Sequence, residues 1–430
     1  MKTGFYTIMA AQFFSSLADN ALLIAAIAIL NDLDAPQWMT PLLKLFFVLS
    51  YVILAAYVGA FADSMRKGRV MFITNMIKIG GCIMMMLGSH PLIAYGVVGF
   101  GAAAYSPAKY GILTELLPPE KLVAANAWIE GFTVSSIILG TLLGGLFISP
   151  KITQVIIAHT HLSINSPSNA AMIMIVGIYF LAALINLRIP DTGARYATQE
   201  RNPIKLIIDY SECFFTLWRD KLGQISLAVT TLFWGAGATL QFIILKWAEK
   251  ALNMTLSEGA LLQAVSALGI AIGAVLAAAR IPLKRSLSVL PLGIAMGLSV
   301  MCMAFFSKSV FSFGSDWKIP FYLMIAYVFL IVIGALAGFF IVPMNALLQH
   351  RGHVLLSAGH SIAVQNFNEN LSVLFMLCVY ALLIWLNVSV NVVLILFGFF
   401  VSGTMWFVMK RHQSNQRTFD SVALIGEVKH

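Results

Sequence analysis

The sequence predicts an all-α integral membrane protein of about twelve transmembrane helices, arranged as two pseudo-symmetric six-helix bundles. Three observations predict it: an apolar composition, long uninterrupted hydrophobic runs, and a match between the two halves of the chain. Of the 430 residues, 60% are hydrophobic and only 10% charged, and mean hydropathy is +0.88. A soluble chain of this size needs far more charge on its surface, so most of this one is solvated by lipid. Each helical span needs roughly 20 apolar residues, which sets the count near twelve. A closed barrel also satisfies its backbone in lipid, but its strands run about ten residues with alternating polarity. Here the runs are long, do not alternate, and are rich in Gly and Ala.

In chain order the spans cover residues 4–31, 41–62, 70–88, 91–114, 121–148 and 169–189. After a polar gap come 224–248, 258–280, 286–306, 319–345, 355–386 and 388–410. The first resembles a signal peptide, yet Asp19 and Asn20 interrupt its centre and it is too long for a signal h-region, so it reads as a retained span. The following "NDLDAP" turn is acidic, whereas "DSMRKGR", "RIPLKRS" and the C-terminal "MKRH" are basic. Positive-inside bias therefore predicts both termini in the cytoplasm, as an even number of spans requires. The same bias accounts for the net charge of +9, without nucleic acid as a partner. The four cysteines lack CxxC or metal spacing and read as small packing residues; neither a metal nor a cofactor is predicted.

The polar gap halves the chain into an N-terminal bundle (1–190), a linker (191–223), a C-terminal bundle (224–411) and a tail (412–430). Within the linker, Ile204, Ile207, Ile208, Phe214, Phe215 and Trp218 recur at helical spacing, with Lys205, Asp209, Glu212 and Arg219 opposite. This predicts an amphipathic helix on the cytoplasmic bilayer surface. The halves also match internally. Pro107 in "YSPAKYGIL" aligns with Pro343 in "IVPMNALLQ", and "NAWIE" (Asn126 to Glu130) with "QNFNE" (Gln365 to Glu369). Such a parallel six-span duplication resembles the major facilitator fold, whose substrate site lies at midplane between the halves.

Several polar residues sit where lipid-facing helices carry leucine. Asp19 lies about 22 Å along its helix, near the bilayer centre. A carboxylate there costs on the order of 3 kcal/mol unless paired, protonated or hydrated. It reads either as a functional group or as a protonated residue bonded to a neighbouring helix. Asn20, on another face, suits helix packing or the substrate site. Glu130 lies about 14 Å deep from its helix start. Two such carboxylates repel unless one holds a proton or a cation sits between them. Lys109 is the candidate cation, pointing either inward or, by snorkelling, to the interface with Glu115 and Glu120. Gln365, Asn366, Glu369 and Asn370 form one polar stripe, facing either a cavity or a partner helix. His360, just before them, reads as a satisfied hydrogen-bonding residue. "GAFADSMRKGR" resembles the loop signature of major facilitators, with Gly68 five residues after Asp63 where three is usual. Asp63 pairing with Arg66 or Arg69 forms a latch between states; ordinary loop charge is the other reading.

Together "LADNALL", "AAAYSPAKYGIL", "TLFWGAGATL", "VPMNALLQHRG" and "IAVQNFNEN" resemble the bacterial lysophospholipid transporter family of the major facilitator superfamily. The resemblance runs through most of residues 8–410. It implies a monomeric flippase of the bacterial inner membrane. The implied cargo is lysophospholipid, especially lysophosphatidylethanolamine, moved to the cytoplasmic side by alternating access. There an acyl-carrier-protein synthetase/acyltransferase reacylates it, as a functional partner alongside the membrane lipids. It also implies that Asp19 contributes to headgroup recognition and that an arginine stands at position 241, where this chain has Gln241. Glutamine offers only neutral hydrogen bonds to a phosphate. Lys246, about 140° further around the helix, is a poor substitute, which leaves Lys109 for the phosphate.

The expected chamber is lined by Asp19, Lys109, Glu130 and the 365–370 stripe, with the acyl tail in an apolar slot between helices. Reacylation on the far side can drive uniport without an ion; Na⁺ or H⁺ coupling through Asp19 or Glu130 is the alternative. A drug or metabolite exporter of the same superfamily is the rival function. A membrane enzyme is disfavoured: HxxxxD, GxSxG, a P-loop and paired-His metal motifs are absent from the sequence.

Overall fold

The computed structural model of the chain describes residues 3–36, 39–149, 154, 167–194, 196, 200, 202–254, 256–306 and 321–425. Residues 319–320 of the predicted tenth span and 426–430 of the tail lie outside them. Among the described residues the chain is helical throughout, without strands. The first part carries α1 (Thr3–Asp32), α2 (Met39–Ile53), α3 (Ala55–Asp63), α4 (Lys67–Met86), α5 (Pro91–Leu116), α6 (Leu122–Phe147), α7 (Pro167–Leu187) and α8 (Pro203–Arg219). The second carries α9 (Gly223–Leu252), α10 (Leu256–Arg280), α11 (Leu290–Met303), α12 (Phe321–Leu355), α13 (Ala358–Trp385) and α14 (Val390–Thr418).

By length and composition, 10 of the described helices can cross a membrane, or 11 when the bent pair α2–α3 counts as one span. Helix α5 has the length, at 26 residues, but its Tyr, Ser, Pro and Lys residues dilute its hydropathy. Residues 41–62 read in sequence as one unbroken span; the structure bends them by 66° at Leu54. No Pro or Gly marks the break. Instead the Ser50 hydroxyl, one turn earlier, donates to the carbonyls of Phe46 and of Gly96 on α5, a back-bonding pattern that bends helices. The predicted span ending at 345 also runs on, to Leu355. Its extra turns are polar, yet Gln349, His350 and Arg351 are all buried.

Two compact units emerge. One comprises Met1–Leu117, Phe132–Phe215 and Leu356–Phe367; the other Pro118–Gly131, Thr216–Leu355 and Asn368–His430. In the first, α1 packs on α7, α4 on α5 and α7, and α2 on α5. Its core gathers Leu22, Ile79, Tyr95, Val98 and Tyr179. In the second, α9 packs on α14, α11 on α12 and α14, and α10 on α12. This is the same pairing scheme shifted by half the chain, as a duplication requires. The buried Trp247 anchors its core beside Phe306, with its indole N–H donating to the Met303 carbonyl at 3.2 Å.

The linker helix α8 forms where the periodicity predicts it. Ile204, Ile207, Ile208 and Phe215 are exposed along it, while Tyr210 and Phe214 turn edge-on to Phe367.

Candidate functional site

The first unit holds a charged pair in the middle of its helices. Asp19 on α1 and Lys78 on α4 meet with the ammonium 2.8 Å from each carboxylate oxygen. The Tyr179 hydroxyl, from α7, donates to the same carboxylate at 2.6 Å. Lys78 also donates to the Ser15 hydroxyl at 3.1 Å, and Ser15 donates onward to Asn75 at 2.8 Å. Rings of Tyr105 and Tyr179 lie 5.1 and 5.5 Å from the ammonium, within cation–π range. Local sequence makes room for this. A Cβ on Gly101 of α5 would stand 2.8 Å from both Lys78 Cγ and the Thr74 carbonyl, so only glycine lets α5 lie against the lysine stem.

Asp19 is thus paired by Lys78 and not by Lys109, the cation its sequence suggests. The physical reason is position: α4 packs beside α7, which carries Tyr179, and Lys78 is 1% exposed with nowhere else to place its charge. Lys109 is half-buried near the far end of α5, its ammonium 4.5 Å over the ring of neighbouring Tyr110. Asn20 bonds its own helix, Nδ2 to the Ser16 carbonyl at 2.8 Å, and its Cβ faces Gly140 of α6; both contacts suit packing. Asn366 donates to the Ser106 hydroxyl on α5 at 2.9 Å, and Gln365 is buried beside it on α13. In the second unit Glu130 and Glu369 are buried and Asn370 half-buried. Gln241 is exposed on α9, and its backbone carbonyl accepts from Gln263.

A second cluster sits at the end of the first unit where α3 meets α4. Asp63 accepts from Lys67 at 2.5 Å, from Ser357, and from the backbone N–H of Gly359 at 3.1 Å. His360 Nδ1 lies 3.2 Å away, so the histidine is satisfied as expected. Asp63 therefore caps the N-terminus of α13, a position that favours a carboxylate. Its sequence neighbourhood suggests Arg66 or Arg69 as the partner. The turn at Arg66 instead directs that side chain outward to Asp191 at 2.9 Å, and Lys67, four residues after Asp63, takes the inner place. Lys67 also lies 3.5 Å from Glu115, which accepts from Thr192 and Tyr196 at 2.7 and 2.8 Å. Burial, together with the Glu115 and Asp63 carboxylates, pushes the Tyr196 phenol well above its usual range, so it stays a donor. These residues line a cavity of about 540 Å³, with Arg66 and Arg69 at its rim and Asn186 in its wall.

Two further pairs were not singled out from sequence, both in the second unit. Asn126 and Gln349 exchange reciprocal amide hydrogen bonds of 2.9 and 3.0 Å. Arg351 grips Asp220 through two nitrogens at 3.0 and 2.8 Å, and Asp220 caps the start of α9.

Residues 8–372 match the family model of the Major Facilitator Superfamily. The chain is 39% identical over 391 residues to the lysophospholipid transporter LplT of Yersinia enterocolitica, spanning 91% of this chain and 89% of that one. The belonging is therefore plain. The chain is a member of the lysophospholipid transporter family of the major facilitator superfamily. LplT of Yersinia pestis matches to the same extent. Among solved structures, the transporter FucP in its outward conformation superposes with a TM-score of 0.70 at 13% identity, covering 96% of this chain and 98% of that one. A bacterial homologue of the iron transporter ferroportin gives 0.68 at 13% identity, with 97% and 100% covered. These likenesses show the fold alone. Family membership makes the chain a multi-pass membrane transporter, consistent with the duplicated pairing of its helices.

Proposed function

We propose that this protein carries lysophospholipids, such as lysophosphatidylethanolamine, across the bacterial inner membrane by alternating access. The match to lysophospholipid transporters across 91% of the chain carries this reading. The charged pair adds physical support. A lysophospholipid has a polar head that hydrocarbon rejects and a single acyl tail. Asp19 keeps 23% of its side chain exposed while bonded to Lys78 and Tyr179. A carboxylate held in this way is ready for an ammonium or hydroxyl of a headgroup. Lys109, Glu130, Gln365, Asn366, Glu369 and Asn370, with Asn20 and Gln241, are the other residues proposed to bind substrate. Asp63, with Arg66 and Arg69 nearby, belongs to the proposed gate.

The basic loops at Arg66–Arg69 and Lys284–Arg285 support an orientation with both termini in the cytoplasm. Transport then delivers its cargo to the cytoplasmic leaflet, where an acyl-carrier-protein synthetase/acyltransferase is the proposed consumer. The chain acts as a monomer and not as an enzyme in this reading. The test is purified protein in liposomes with labelled lysophosphatidylethanolamine and a dithionite- or albumin-based sidedness assay. Protein-dependent flipping that Asp19→Asn reduces supports the proposal. Absence of flipping alongside efflux of unrelated amphiphiles would instead make the chain a drug exporter.

A further inference from the structure

Around the Asp19–Lys78 pair, four side chains keep polar atoms that meet no partner among the described residues. They are both ends of the Gln12 amide, Asn75 Nδ2, the Tyr105 hydroxyl, and both ends of the Asn186 amide. Gln12 is 1% exposed, and Asn75 and Asn186 are fully buried. A buried amide with neither end bonded is rare in folded proteins, and ordered water is the usual remedy.

The four lie on helices α1, α4, α5 and α7, which also surround the pair. Gln12, Ser15 and Asp19 follow one stripe of α1 at spacings of three and four. Asn75 and Lys78 lie three apart on α4, and Tyr179 and Asn186 seven apart on α7. Ser15 ties α1 to Asn75, and the Tyr105 hydroxyl lies near both Ser15 and Asn186. Asn186 in turn lines the 540 Å³ cavity beside Asp63, Lys67 and Glu115. From Tyr179 to Asn186 the helix rises only about 10 Å.

We infer that a file of bound water runs inside the first unit from this cavity to the Asp19–Lys78 pair. Its use rests on the lysophospholipid reading. When a headgroup ammonium takes the Asp19 carboxylate, the Lys78 ammonium loses its counter-charge. In a dry interior that exchange is strongly opposed, because an unpaired buried charge is costly. Water arriving along Gln12, Asn75, Tyr105 and Asn186 solvates the lysine, and Ser15 and the rings of Tyr105 and Tyr179 hold it in place. The pair then opens and recloses without either charge being stranded.

The experiment places single cysteines at Gln12 and Asn186 after replacing Cys82, Cys213, Cys302 and Cys378. A membrane-impermeant methanethiosulfonate is applied to vesicles from the side bearing the Arg66–Arg69 loop. Both cysteines are expected to react, at least about tenfold faster than a cysteine replacing exposed, apolar Leu142, since lipid suppresses the thiolate. Inert cysteines in folded protein overturn the file. Hydroxyl-radical labelling of the unsubstituted chain gives a second measure: Tyr105 is expected to oxidise faster than Tyr95, and equal rates overturn the file as well. Asn186→Leu is expected to slow lysophosphatidylethanolamine flipping roughly tenfold, on the scale of one unmet buried polar group. Normal flipping by that variant overturns the use assigned to the water. Labelling reports on the path whatever the cargo, so failure of the lysophospholipid reading is read separately.

Discussion

The Lys78 ammonium lies 2.8 Å from both carboxylate oxygens of Asp19, and the two partners are unequally buried, at 1% and 23%. The lysine is buried among α1, α4, α5 and α7, while the carboxylate keeps an open side. The pair is therefore directional: the aspartate presents the accessible side, and the lysine holds it from behind.

Removing the lysine leaves Asp19 partly buried without its counter-charge. Lys78→Met is expected to destabilise the protein by roughly 2–3 kcal/mol, below the 3–5 kcal/mol of a fully buried pair because Asp19 is partly exposed. Thermal unfolding in detergent measures it. Exchanging the two residues, Asp19→Lys with Lys78→Asp, is expected to recover much of that stability but not flipping, because the accessible charge is then reversed. Recovery of both would reduce the pair to a structural role.

Asp19 is legible because a carboxylate interrupts an apolar run, and intramembrane charge is costly. Lys78 interrupts "VMFITNMIKIGGCIMMM" in the same way, and the same argument applied to α4 singles it out. Its pairing is harder to read, since nothing in one sequence tells which of two lysines, on α4 or α5, stands beside α1. The helical spans follow directly from lipid as solvent. The break at Leu54 does not, because the Ser50 hydroxyl one turn before it reaches a carbonyl 46 residues away. The Asp63–Lys67 contact has readable spacing, but α3 ends between them, so a helical i, i+4 argument did not apply.

The cluster around Asp63 separates two basic neighbours. Lys67 is 4% exposed and bonded to Asp63, whereas Arg66 is 57% exposed beside Asp191. Exposed ion pairs contribute about 0–1 kcal/mol, and buried ones respond far more strongly to loss of a partner. Lys67→Met is therefore expected to lower stability by about 3 kcal/mol, and Arg66→Ala by less than about 1 kcal/mol. Added salt weakens the Arg66 contribution and leaves that of Lys67 nearly unchanged. Equal effects in thermal unfolding would contradict the assignment of Lys67 as the inner partner.

Tyr196 gives a pH signature. Its folded-state phenol is held above the ordinary value by burial and by the Glu115 and Asp63 carboxylates. Below the unfolded value, near pH 10, both states keep the proton and stability is unaffected. Above it the unfolded chain loses the proton while the folded one retains it, so stability falls as pH rises from about 10. Tyr196→Phe is expected to flatten that part of the profile. At neutral pH the same variant costs about 1 kcal/mol for the lost hydrogen bond to Glu115. Unfolding midpoints between about pH 8 and 11 measure both effects.

Helices α10 and α12 pack backbone to backbone, and glycines make that possible. A Cβ on Gly269 or Gly273 would press on the carbonyls of Ile331 or Ala335, and one on Gly334 or Gly338 on those of Ser266 or Ile270. Two small-xxx-small repeats thus face each other, the arrangement that brings helices together in membranes. Because the obstacle is backbone on both sides, no rotamer change relieves it. Gly338→Ala is expected to cost about 1–3 kcal/mol through overpacking, and Gly338→Leu more. Gly237 on α9 supplies the contrast, since a Cβ there meets nothing within 4 Å. Gly237→Ala is expected to stabilise by about 0.5–1 kcal/mol, as glycine gives up more backbone freedom in a helix. Thermal unfolding of the two alanine variants, one glycine-to-alanine change with opposite expected signs, distinguishes close packing from general intolerance to substitution. A loss at both positions would refute the contact as the cause.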